Sequence, residues 1–408
     1  MQPRGVVVLI GVIVMSVMLL LLAAGINLVG HTSLRGSDTY DDALISSYHA
    51  DACMDEALIR LRRNSSYSGG TLSLGQVTCR INVTNTGGTG RTVLAEGEFN
   101  AIREAVQVIA TVSGSVTVTS WSRCPSEGNA RMEAGTVTSV TDAWQHVAFR
   151  QCYRRPVMKA LHLESASTTA NVVRIRNVTS SGFDIRLQNP AGSTISGETV
   201  NYMVVEEGAF TLVDGTKIEA HRFSTNTTGS SSGWNSDLVT YSNVYSVAPV
   251  VLAQAMTSYD DVFVSTWVNG GAQTTPPTTT VLRIGLNMAQ VASTHTVDEI
   301  GWIAIDSAKN STVASTTYQT LISANAVSGH DSGCSSVNYA SAFSVSPILL
   351  AQLLAMDDGD GGWLVQCATS TTAARLHVEE DQVVDGERTH AAEQAGIVAF
   401  GAAFVHSQ

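Results

Sequence analysis

Three stretches decide the fold: RPVMKALHLES at 155–165, APVVLAQAMTS at 248–258 and SPILLAQLLAM at 346–356. Each starts a β-rich run at a proline, and Pro156, Pro249 and Pro347 stand 93 and 98 residues apart. A second strand, preceded by an acid, follows in each: ETVNYMVVEEG from Glu198, DEIGWIAIDSA from Asp298 and EQAGIVAFGAA from Glu393. The first two repeats also open alike, with Arg131-Met132-Glu133-Ala134 and Lys217-Ile218-Glu219-Ala220. A fixed period of this kind marks a repeated structural unit. Alternating Val, Ile, Thr, Phe and Arg between Gly, Ser and Asn turns predicts about six antiparallel strands per repeat, packed as sandwiches. The Ser/Thr stretches at 224–232 and 307–317 read as loops joining the modules.

Composition agrees with a β-rich extracellular chain. Charged residues are 14% of the 408, well below the ~25% of ordinary soluble domains. Lys+Arg 23 against Asp+Glu 35 gives −12, which argues against a nucleic-acid binder, since that needs a basic surface.

From Val6 to Val29 no residue is charged. As a helix this run spans roughly 36 Å, enough to cross a bilayer with some tilt. Arg4 precedes it and Asp38, Asp41 and Asp42 follow, so the expected orientation is N-terminus in, remainder outside a plasma membrane. The alternative is a removed secretory signal, against which stand the five-residue n-region and the long apolar run. Helical spacing of Leu44, Tyr48, Ala52, Ala57, Leu58 and Leu61 continues to about Asn64, and alternation then predicts hairpins with a turn at 86–88.

A long apolar helix running into a small sheet resembles a type IV pilin-like, membrane-anchored protein, over about residues 1–118. The resemblance implies a short basic leader at 1–5, cleaved between Gly5 and Val6. Ile10 stands where major pilins carry a glutamate, so it implies a minor pilin or surface anchor, with pilus subunits as partners.

Six cysteines outside the cytoplasm favour disulfides. Neighbourhood suggests Cys53–Cys79, Cys124–Cys152 and Cys334–Cys367. No C-x-x-C occurs, which argues against zinc ribbons.

In the first repeat, QHVAFRQCYRRPVMKALHLES, RNVTSSGFDIRLQNP and NYMVVEEG are similar to H-type lectin modules. The resemblance covers 129–215 and, more weakly, 216–408. It implies six-stranded sandwiches that bind N-acetylgalactosamine-like sugars and often trimerise; it places no binding residue here.

Candidate ligand-binding residues come from the repeat itself. His295-x-x-Asp298 aligns with His390-x-x-Glu393, while Ile195 and Glu198 hold those places in the first repeat. A rim ligand pair and a structural hydrogen bond are the two readings. Asp357, Asp358 and Asp360 lie in a Gly-rich loop of the kind that wraps Ca²⁺, or in a solvated turn. Trp267 and Trp363 follow the acidic loops, as sugar-stacking rings or as core. No Gly-x-Ser-x-Gly elbow, His-Glu-x-x-His helix or phosphate loop occurs, and the adjacent pairs Glu206-Glu207 and Glu379-Glu380 point to opposite strand faces.

The expectation is therefore a mainly β chain with one long N-terminal helix. It comprises a leader at 1–5, a transmembrane helix at 6–29 and a pilin-like helix with small sheet at 30–128. Sandwich modules follow at 129–215, 216–317 and 318–408. It would display lectin-like modules for adhesion to glycans or other cell surfaces, without catalysis, cofactor or nucleic acid. The alternative is a minor pilin or pseudopilin acting in pilus or secretion-system assembly, with no sugar ligand.

Overall fold

A computed structural model describes residues 41–407, apart from 43, 76, 100–101, 125–129, 165–168, 181, 230–232, 292–293 and 385. The Gly5–Val6 junction and the apolar run 6–29 lie outside the described residues. Among the described residues no helix is long and apolar enough to cross a membrane. The chain is mainly β and divides into two compact units, Met1–Ser126 and Glu127–Gln408.

In the first unit, helix α1 (44–63) leads into an antiparallel meander. Its strands are β1 (Gly69–Leu74), β2 (Val77–Gly87), β3 (Gly90–Phe99), β4 (Ile102–Val112) and β5 (Val116–Arg123), side by side in chain order. The expected helical stripe is rotated: Leu44 and Tyr48 are 42% and 62% exposed, and Ser46, Ala50, Cys53, Met54, Ala57 and Leu61 are buried. Small residues win because the helix lies almost on the sheet backbone. A Cβ at Gly97 would come within 2.4 Å of the Ala50 nitrogen. Ser46 Oγ donates to Gly97 O (2.8 Å) and accepts from Glu104 N (3.0 Å). The Cys53–Cys79 disulfide ties α1 to β2 within this core.

The second unit repeats one strand order three times. Repeat one has β6 (Arg131–Val140), β7 (Gln145–Ala148), β8 (Pro156–Leu163), β9 (Val172–Arg176), β10 (Gly182–Gln188) and β11 (Glu198–Glu206). A short β12 (Gly208–Thr211) follows. Repeat two has β13 (Lys217–Thr225), the two-residue β14 (Thr228–Gly229), β15 (Asp237–Val239), β16 (Val250–Ala255), β17 (Ser265–Asn269), β18 (Leu282–Asn287) and β19 (Asp298–Ile305), followed by β20 (Lys309–Val313). Repeat three has β21 (Thr316–Ile322), β22 (Ser335–Asn338), β23 (Ile348–Leu353), β24 (Trp363–Ala368), β25 (Ala373–Glu379) and β26 (Ala395–Phe400), followed by β27 (Phe404–Ser407).

Four strands pair as β27-β6-β11-β8, β12-β13-β19-β16 and β20-β21-β26-β23. The smaller sets are β7-β10-β9, β15-β18-β17 with β14 parallel to β18, and β22-β25-β24. A parallel bridge between Gln366 of β24 and Leu163 of β8 joins the last of these to the first four-stranded set as one seven-stranded sheet. The short strand after each repeat thus joins the sheet of the next, and β27, at the chain's end, returns to β6 of the first. The ring closes on itself. The stretch 307–317 therefore supplies a strand to repeat three, and 224–232 lies inside repeat two.

The Pro-anchored strands β8, β16 and β23 form the centre. Every residue of β16 and β23 is buried. Val250 and Leu252 face a core shared by all three repeats, and Val251, Ala253 and Ala255 face the core of repeat two. Burial on both faces is why these stretches read as continuous apolar runs. Polar groups stitch the centre: Lys159 Nζ donates to Ala253 O (3.1 Å) and Gln352 Oε1 (2.7 Å), and Gln352 Nε2 donates to Thr266 O (2.7 Å). Burial lowers the Lys159 pKa to about 7.

The opening motif has one role in each repeat. Glu133 accepts from Arg150 N (3.1 Å), Glu219 from Ser242 N (2.6 Å) and Gln319 from Ala340 N (2.8 Å). Each fixes the loop after β7, β15 or β22. Cys334–Cys367 links the start of β22 to β24, and Cys124 and Cys152 are also disulfide-bonded.

Candidate functional site

His295 and Asp298 meet where repeat two abuts repeat one. His295 lies just before β19, and its buried ring is held at both nitrogens. Nδ1 is 3.1 Å from Asp260 Oδ1 and Nε2 is 3.1 Å from Asp298 Oδ2. Thr257 Oγ1 donates to Asp298 Oδ1 at 2.6 Å. Arg174, fully buried on β9 of repeat one, brings its guanidinium within 3.7 Å of Asp298 Oδ2. Burial lowers Arg174 to a pKa of about 10, still cationic at neutral pH. Two carboxylates therefore face one guanidinium and one imidazole in a closed network inside the fold.

His390 and Glu393 take the corresponding places in repeat three, with different neighbours. His390 Nε2 lies 3.1 Å from Glu393 Oε1, but Nδ1 faces Glu380 at 2.5 Å. Asp358, the counterpart of Asp260, accepts from Ala391 N at 2.9 Å, as Asp260 accepts from Thr296 N at 2.8 Å. Asp358, Glu380 and His390 bring one potential ligand atom each within 4.8 Å of the others. Burial pushes Glu380 up to about 7. Burial opposes the charged form of His390, but its carboxylate hydrogen bonds prevail and raise it to about 9.

The acidic residues of the repeat-three loop have separate partners. Asp357 accepts from Asn325 Nδ2 (2.7 Å), Asp358 joins the histidine cluster, and Asp360 lines a narrow cleft with Glu380, Asp381 and Glu387. The loops are wedges between repeats: Gln188 Nε2 donates to Asp261 O (2.7 Å), and Asn287 Nδ2 donates to Gly362 O (3.0 Å). Trp267 and Trp363 are 1% and 4% exposed. Trp363 packs on Phe263 and donates to Asn171 O (2.7 Å), so both tryptophans serve packing and offer no open ring face. In repeat one, Ile195 and Glu198 are buried.

A groove in repeat two was not foreseen from sequence. Asn226, Thr227, Thr228, Trp234, Asn235, Ser236, Asn269, Gln273 and Arg283 line an open space of about 640 Å³. Trp234 is half-buried, edge-on to Trp267 at 5.1 Å, and its Nε1 donates to Gly359 O at 3.3 Å. Arg283 Nε donates to Ser236 Oγ at 3.2 Å. Asn269 donates to Ala272 O (2.9 Å), and its buried Oδ1 has no partner. The polar residues at 226–228 were the only available sequence signal, and their Ser/Thr-rich context masked it.

No family model matches the chain, and no solved structure matches it. Over 279 residues, 64% of its length, the chain is 26% identical to halomucin of Haloquadratum walsbyi, and the match spans 3% of that protein. The similarity is distant and assigns no family.

Proposed function

We propose that this chain is a non-catalytic binding protein displayed outside the cell, whose three lectin-like sandwich modules present a glycan-binding groove for adhesion. The observation that carries this reading is the groove around Trp234. Amides, hydroxyls and an arginine are the groups that recognise a sugar's hydroxyls, and the half-buried indole of Trp234 borders them. The unpartnered Asn269 Oδ1 adds an acceptor for a ligand hydroxyl. Six strands in repeats one and three, and six plus the two-residue β14 in repeat two, fit the H-type lectin resemblance, and three repeats in one chain supply the trimer that such modules commonly build. The disulfides and the similarity to halomucin support an extracellular setting. In this reading the run 6–29 anchors the chain in the plasma membrane, N-terminus in.

The second reading is a minor pilin or assembly component that contacts pilus subunits and binds no sugar. The close seat of α1 on its five-stranded sheet favours it. A glycan array probed with the intact protein and with Trp234→Ala separates the two. Saturable glycan signals that Trp234→Ala abolishes support the groove; an array without signals favours assembly.

A further inference from the structure

We propose that Asp358, Glu380 and His390 form a binding site for one divalent transition-metal ion of the zinc class, at the boundary of repeats two and three. The comparison between repeats carries it. In repeat two the buried histidine has two carboxylates beside it, and Arg174 of the preceding repeat sets its guanidinium 3.7 Å from one of them, Asp298. Strand pairing sets Trp267 opposite Gly285 as it sets Arg174 opposite Arg186, so the residue at the arginine's place for repeat three is uncharged. Repeat three also gains a carboxylate, because Glu380 follows β25 where Met288 follows β18. Three carboxylates thus surround one imidazole, and among the described residues no lysine or arginine pairs with Asp358, Glu380 or Glu393.

A second observation is independent of the cluster's composition. Asp298 has both oxygens served, by the Thr257 hydroxyl and by His295 with Arg174. Glu393 is wholly buried and its Oε2 has no partner; Ala355 stands where Thr257 would donate. Burying a carboxylate oxygen without a donor or a cation is costly. Glu393 Oε1 meanwhile holds His390 Nε2 at 3.1 Å, which presents Nδ1 to Glu380 and Asp358. A carboxylate that orients a ligating imidazole through its far nitrogen is the usual outer partner of a metal-bound histidine. One imidazole nitrogen with two carboxylate oxygens suits zinc or its neighbours better than calcium, which prefers oxygen alone. Asp360, Asp381 and Glu387 lie beside Glu380 and add acidic groups around the site.

Intact protein, stripped with chelator and dialysed, is titrated with Zn²⁺ calorimetrically and with Co²⁺ by visible absorption. The expected result is one equivalent bound, with d–d bands from Co²⁺, and affinity weakened more than ~10-fold in Glu380→Met, which installs the residue of repeat two. No saturable uptake by the wild type, or undiminished uptake by a folded Glu380→Met, overturns the proposal. If Glu380→Met does not fold, pulsed EPR of Mn²⁺ bound to the wild type decides. Coupling to an imidazole nitrogen supports the site, and its absence overturns it.

Discussion

Val405, on the last strand of the chain, pairs with Glu133, on the first strand of the repeat array. The register is the one in which Ala209 pairs with Glu219 and Asn310 with Gln319. At two of these seams the exchanged strand is continuous with the sheet it joins, through the turns at 212–216 and 314–315. At the third it comes from the far end of the chain, so β27 acts as a latch that fastens the last repeat to the first.

The latch is testable through Phe404, which is buried in the shared core and stacks on Phe400 at 4.9 Å. Phe404→Ala is expected to cost about 3 kcal/mol in urea unfolding. Val405→Ala, at a half-exposed position, is expected to change stability by less than about 0.5 kcal/mol. Equal effects would show that β27 is not a fastening element.

Glu133 accepts backbone and tyrosine donors, and its counterpart in repeat three is Gln319, an amide that does the same work. Glu133→Gln is therefore expected to cost under about 1 kcal/mol, and Glu133→Leu about 2–3 kcal/mol, because the Arg150 N–H is left unpaired. Burial raises the Glu133 pKa despite hydrogen bonds that lower it. The folded state holds the proton more tightly than the unfolded one, so this group's contribution declines as pH rises above about 4.3. Denaturation midpoints of Glu133→Gln should lack that decline.

Lys159 sits among β8, β16 and β23 with amide and carbonyl partners and a pKa lowered by burial to about 7. The unfolded lysine titrates near 10.4, so the unfolded state binds more protons between about pH 7 and 10.4 and stability climbs across that window. Lys159→Met is expected to raise stability at pH 6, because it removes a charge whose burial costs more than its two hydrogen bonds return. The gain should shrink steadily toward pH 10. A gain independent of pH, or a loss at pH 6, would mean that the hydrogen bonds of Lys159 outweigh its desolvation.

Cys53–Cys79 closes a loop of 26 residues between α1 and β2. Replacing both cysteines with alanine is expected to lower the stability of the helix-and-sheet unit by roughly 3 kcal/mol. Urea titrations monitored by far-UV circular dichroism on the double variant measure it.

The prolines and apolar runs made the repeat legible because strands buried on both faces allow few substitutions with polar residues. Glu133 and Glu219 were visible as a pair, but Gln319 was hidden, since an amide fills a carboxylate's role without resembling it in sequence. The strand exchange left no trace: β12, β20 and β27 contribute backbone pairing, which any residue supplies. On α1 the periodicity located the helix but not its buried face, because the close approach to Gly97 selects small residues over Leu44 and Tyr48. His295 and His390 aligned correctly. What separates their sites, Arg174 and Glu380, comes from other strands and could not be read locally.

Sugar binding by the groove of the second repeat is the proposal on which the functional reading rests. Calorimetric titration of the intact protein with the strongest ligand from a glycan array tests it most directly. The expected stoichiometry is about one sugar per chain, with binding lost in Trp234→Ala. Three equivalents per chain, or full affinity in Trp234→Ala, would contradict it.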